Sequence, residues 1–160
     1  MYSFEWMQQA GNPVAYAPHL RKGPLPGMPE KHVIFQFARG DMTVPNPTTT
    51  AILRAGDLAD RATYYRNDLA FAANPAIPKN PHTFMTGVLS PVGGGIALDA
   101  QLQIAAFFAS ETIPGITPTV IDPDPSPIPN PAAPAGPPLD VNVFEVPIVL
   151  PLPETLNFIP

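Results

Sequence analysis

From His32 to Ala38 the chain reads His-Val-Ile-Phe-Gln-Phe-Ala, apolar at nearly every position and rich in β-branched and aromatic residues. A short run of this kind predicts a strand buried on both faces, as in a parallel sheet covered by helices. Asn46 and Pro47 then offer an N-cap and a first helical residue whose missing N–H costs nothing, predicting a helix over Thr48 to Ala55 that Gly56 ends. Arg61 to Arg66 reads as a second strand, and the proline-broken stretch from Asn67 to Pro81 as a long loop. After a Gly93-Gly94-Gly95 hinge, Ile96, Leu98, Leu102, Ile104, Phe107 and Phe108 give the stretch Ile96 to Ser110 a broad apolar helical face. Strand, helix, strand, loop, helix is the order of an α/β architecture.

The flanks are less regular. Ser3 to Gln9 reads as a short helix with Phe4, Trp6 and Met7 available for packing, and Asn12 to Pro29 as a loop under its five prolines. Of the 25 prolines, 14 lie from Pro114 onward. The stretch Ile113 to Pro138 therefore reads as extended and polyproline-like. Beyond it, Val141 to Val146 alternates like a half-buried strand, and Pro147, Pro151 and Pro153 confine the remainder to an edge or a surface strap. This divides the chain into a foldable part, residues 1–112, and a proline-rich extended tail, residues 113–160.

Composition narrows the function classes. A net charge of −5 without clustered Lys and Arg argues against a nucleic-acid partner. The absence of cysteine removes disulfides and thiolate metal sites and leaves the compartment open. No run approaches the roughly 18 apolar residues of a membrane span, and the first residues lack the charged and apolar regions of a signal peptide. Asp122-Pro123-Asp124 fails as a calcium loop, since Pro127 stands where the turn glycine belongs and Ala133 where the terminal glutamate belongs. Gly93-Gly94-Gly95 lacks the lysine and preceding strand of a phosphate loop.

Two residues remain as candidate chemistry. Asp41 follows the first strand in Arg39-Gly40-Asp41, with Gly40 permitting a tight turn and Pro45 and Pro47 stiffening the exit. His82 lies 41 positions downstream in Asn80-Pro81-His82-Thr83-Phe84, after the second strand and before a helix. A carboxylate and a histidine on loops at the end of a rigid sheet suit general acid–base work, the carboxylate fixing the tautomer of the imidazole. The competing readings are a turn aspartate and a surface histidine. His19, in a proline loop, and His32, at a strand edge, read as structural or solvated.

Residues 31 to 110 resemble the C-terminal third of an α/β-hydrolase, more specifically of bacterial lipase- or esterase-like members. Gly40-Asp41-Met42-Thr43-Val44-Pro45 resembles the acid loop, Asn80-Pro81-His82-Thr83-Phe84 the histidine loop, and Ala97 to Ser110 the last helix. The resemblance implies a Ser-His-Asp triad acting on a small ester or lipid substrate without cofactor or metal, with Asp41 orienting His82 as general base and acid. It also implies an extracellular bacterial setting. The sequence departs from the family in having no Gly-x-Ser-x-Gly; its serines are Ser3, Ser90, Ser110 and Ser126, and Ser90 follows the histidine, the wrong order. The nucleophile is therefore expected on an N-terminal remainder of the hydrolase or on a second chain, and the isolated chain is expected to be inactive. The alternative is a non-catalytic structural or interaction subunit that keeps a hydrolase-like half-fold and binds through its proline-rich tail. A further expectation is that the tail closes over the core as a strap.

Overall fold

A computed structural model describes residues 8, 10–123 and 142–160. Apart from Gln8, the expected helix at Ser3 to Gln9 lies outside them, as do most of the polyproline-like stretch, Ser3 and Ser126. A three-stranded mixed sheet carries helices on both faces, so the architecture is loosely α/β. Strand β1 (Phe35–Ala38) pairs in parallel with β2 (Ala62–Tyr65), in the register Phe35 to Ala62 through Ala38 to Tyr65. The third strand, β3 (Phe144–Glu145), pairs antiparallel with β2. The two core strands are parallel, as the sequence leads one to expect, and the returning tail makes the sheet mixed by running against β2.

The side-chain period of two divides the sheet into two packed faces. Phe35, Phe37, Ala62 and Tyr64 share one face with Leu53, Leu58 and Ile148. Ala38 and Tyr65 share the other with Ile96, Ala100, Val143 and Phe144. Burial on both faces is the reason the first strand reads as a continuous apolar run. Gln36 in β1 and Thr63 in β2 are the polar exceptions, for a reason invisible locally. Gln36 Nε2 donates to Gln103 Oε1 at 2.5 Å and to Ala100 O at 2.9 Å, and Thr63 Oγ1 donates to Gln103 Oε1 at 2.8 Å. These bonds fasten the long helix to the sheet.

The helices are α1 (Pro13–Tyr16), α2 (Asn46–Gly56), α3 (Asn67–Ala73) and α4 (Gly94–Glu111), with short 3-10 turns at Ala17–Leu20 and Ala59–Arg61. Helix α4 agrees with the apolar pattern, although Gly94 and Gly95 belong to it rather than to a hinge. Four expectations are corrected. Asn12 to Pro29 is not all loop: Asn12 Oδ1 accepts the Val14 N–H at 3.0 Å and Pro13 opens α1. The Asn-Pro start signal therefore operates at 12–13. At 46–47 it does not, since Pro45 takes the cap position, and the fully buried Asn46 donates to the Tyr64 hydroxyl and to the Thr155 carbonyl, each at 3.2 Å. Asp57 in the left-handed region, not Gly56, closes α2. Asn67 to Pro81 begins with α3 before it becomes a loop.

Residues 142–160 are part of the packed body. Ile148 is 5% exposed within the Phe37 and Leu53 cluster. Farther along, Glu154 pairs with Arg54, the Thr155 carbonyl meets Asn46, and the Pro160 carbonyl accepts from Lys79 Nζ. The strap passes Gly40, where φ is +75° and a Cβ would stand 2.6 Å from the Asn157 carbonyl oxygen. Glycine at 40 answers both to a backbone region that L side chains avoid and to the close approach of a second segment.

Candidate active site

Because β1 and β2 are parallel, the segments leaving them emerge at the same end of the sheet. From β1 the chain passes through Arg39 and Gly40 into Asp41. From β2 it passes through Arg66 into α3 and then the loop that carries His82. The two side chains meet: His82 Nδ1 stands 3.0 Å from Asp41 Oδ2. Both sequence-selected residues thus come together, whereas His19 Nδ1 contacts the Gly23 carbonyl at 2.8 Å and His32 Nδ1 contacts Glu111 at 3.0 Å, apart from this pair.

The environments of the two groups differ. The Asp41 side chain is only 12% exposed, and its other oxygen, Oδ1, accepts the backbone N–H groups of Thr43 at 2.7 Å and Val44 at 2.8 Å. A carboxylate held by three donors has one available orientation. The His82 ring is 40% exposed. An ionised carboxylate only accepts, so the ring nitrogen facing it carries a proton, and in the neutral imidazole Nε2 is the atom with the lone pair. Among the described residues no side chain hydrogen-bonds that Nε2. The arrangement can accept a proton from a neighbouring hydroxyl and return it to a leaving group.

The surroundings contain residues that sequence reasoning passed over. Asn67 is fully buried: its Oδ1 accepts from the Tyr65 hydroxyl at 3.1 Å, and its Nδ2 donates to the Pro78 and Lys79 carbonyls at 3.2 Å each. Asn80 Oδ1 accepts the Met42 N–H at 3.1 Å and the His82 N–H at 3.3 Å. Their available signal was two asparagines bracketing a proline-broken stretch, which reads equally well as solvated loop. Beside them Arg66 forks onto Asp68 with two bonds of 2.8 Å and reaches Glu145 at 2.5 Å, joining β2, α3 and β3. Burial opposes ionisation of Asp68, but the Arg66 hydrogen bonds and the charges of Arg39 and Arg66 outweigh it and hold the carboxyl below its ordinary value. Burial, reinforced by the charge of Asp68, pushes the Tyr65 phenol well above its ordinary value.

Ser90 does not join the pair. Its Oγ accepts the N–H groups of Val92 at 3.3 Å and Gly93 at 3.2 Å, at the approach to α4, and it lines a cavity of about 80 Å³ with Tyr65, Ile77, Phe84 and Ile96. Asn80, Pro81 and Thr83 of the histidine loop also line that cavity, but Asp41 and His82 do not. Ser110 Oγ donates to the Phe107 carbonyl within α4. No helix among the described residues is long and apolar enough to cross a membrane. Compared with family models, curated proteins and solved structures, the chain matches none of them.

Proposed function

We propose that Asp41 and His82 are the acid and the base of a carboxylic ester hydrolase of α/β-hydrolase type, this chain supplying its C-terminal portion. The observation that carries the reading is the 3.0 Å contact between His82 Nδ1 and the buried Asp41 carboxylate, with the imidazole side chain two-fifths exposed. A serine hydroxyl from another segment gives its proton to Nε2 as its oxygen attacks the ester carbonyl. The imidazolium, steadied by Asp41, then protonates the departing alkoxide. In the second half, water loses a proton to the same nitrogen and attacks the acyl group, and His82 returns that proton to the serine oxygen. Exposed Met42 and Val44 beside Asp41 favour an apolar substrate. Fluorophosphonate labelling of the gene product that includes the nucleophile tests the reading: labelling is expected to be strong in the wild type and lost in His82→Ala. Undiminished labelling of that variant overturns it.

A second reading, a structural or interaction subunit, draws on α4. Leu98, Leu102 and Phe108 are each more than two-fifths exposed on a helix whose charged residues are Asp99 and Glu111. A helix apolar on both sides is suited to being covered. Light scattering decides it: a monodisperse monomer of the 160-residue chain counts against an obligate partner.

A further inference from the structure

We propose that Asn80 is the positioning residue of the His82–Asp41 pair, its side-chain oxygen stapling the acid loop to the histidine loop. The inference rests on the hydrolase reading for its functional meaning, but its geometry stands apart from catalysis.

The two loops arrive from different elements, and the imidazole is two-fifths exposed, so packing alone does not hold it. Asn80 supplies a fixed reference. A carbonyl oxygen has two lone pairs, and Asn80 Oδ1 uses them on backbone N–H groups on either side of the pair: that of Met42, next to Asp41, and that of His82 itself. The bond to His82 closes a local turn of a kind asparagine often makes. The bond to Met42 spans 38 residues and has no local explanation. Nδ2 adds a weak contact with Thr43 Oγ1 at 3.4 Å. Asn80 is itself held from below, since Asn67 fastens the carbonyls of the two preceding residues, Pro78 and Lys79, to the end of β2. A continuous line of bonds thus runs from Tyr65 through Asn67 and the loop backbone to Asn80, and from there to both members of the pair. Backbone placed this way fixes the ring without burying it, and two-fifths of the side chain stays exposed.

The test uses ¹⁵N-labelled 160-residue chain, reading the His82 tautomer from long-range imidazole correlations at about pH 9, where an ordinary imidazole is neutral. Amide exchange of Met42 and His82 is read alongside. The wild type is expected to show a single Nδ1–H tautomer. Asn80→Ala is expected to give a tautomer mixture and about tenfold faster exchange at both amides. Asn80→Asp keeps the acceptor oxygen and is expected to keep the tautomer. Thr43→Val removes only the weak contact and is expected to match the wild type. Unchanged tautomer and exchange in Asn80→Ala overturn the proposal. Should Asn80→Ala fail to fold, a tautomer lost in Asn80→Asp, or lost in Thr43→Val, overturns it instead. Turnover plays no part in these readouts. A pair that Asn80 controls, in a gene product that fluorophosphonate does not label, defeats the hydrolase reading alone. Labelling that needs His82, with Asn80→Ala unchanged, defeats this inference alone.

Discussion

Gly40 and Asn157 are in contact: the carbonyl oxygen of Asn157 occupies the space a side chain at 40 would need. The residue before the buried carboxylate is therefore packed against the far end of the chain, and the acid loop and the C-terminal strap form one structural unit.

Gly40→Ala meets two obstacles, the positive φ and the Asn157 backbone. Adopting the left-handed region costs a non-glycine residue about 1–2 kcal/mol, and here a main-chain neighbour must also move. Urea titration is expected to show a loss of at least about 2 kcal/mol, with the His82 tautomer disturbed as well. An unchanged midpoint would mean that strap and loop do not meet.

Ile148 tests the strap from its other side. It is 5% exposed among Phe37, Leu53, Leu58 and Tyr64, although it follows Pro147 in a stretch that looks like surface. Ile148→Ala is expected to destabilise by about 2–5 kcal/mol, the usual range for emptying a buried aliphatic site. Exposed Val149 beside it serves as control, and Val149→Ala is expected to fall within about 0.5 kcal/mol of wild type.

Asn67→Ala removes the partner of the Tyr65 hydroxyl and of the Pro78 and Lys79 carbonyls. Unmaking hydrogen bonds inside the fold costs about 1–3 kcal/mol. Faster amide exchange is expected across the histidine loop while α4 keeps its protection, a local loosening that hydrogen exchange distinguishes from global destabilisation.

Asp68 sets an acid limit. Its folded-state pKa is depressed, so its contribution is present above the unfolded carboxylate value, about 4, and is lost as pH falls through the lower folded value. Stability of the wild type is therefore expected to fall on acidification below about pH 4, and more steeply than that of Asp68→Asn. Parallel denaturation series for the two proteins check this; identical acid slopes would remove Asp68 from the network with Arg66 and Glu145.

The elements whose signal is local were legible in the sequence. Continuous apolar residues marked β1, and the apolar face from Ile96 to Phe108 marked α4. That Asp41 and His82 meet was legible because each lies on a segment leaving one of two strands of the same sheet. What escaped depends on distant partners. Asn46 looks like a helix cap until Thr155 is known to reach it, and Gln36 looks misplaced until Gln103 is known to face it. Helix α3 was hidden by the prolines at 75, 78 and 81, which act after Ala73 and leave Asn67–Ala73 free to coil. The tail's return was legible only in outline: the alternation at Val141 to Val146 suggested a strand, but its partner β2 and the burial of Ile148 depend on residues far away in the chain.

The most direct measurement is ester hydrolysis by the assembled protein, this chain together with the segment that carries the nucleophile, comparing wild type with Asp41→Asn. The amide preserves the shape of the carboxylate but also presents an N–H₂ group, so it no longer selects the Nδ1–H tautomer of His82. On p-nitrophenyl butyrate, kcat is expected to fall by about 10³–10⁴-fold while KM stays within about threefold. A variant with kcat within about twofold of wild type, or an assembled wild-type protein that does not hydrolyse esters, would contradict the assignment of Asp41 and His82 as the acid and base of a hydrolase.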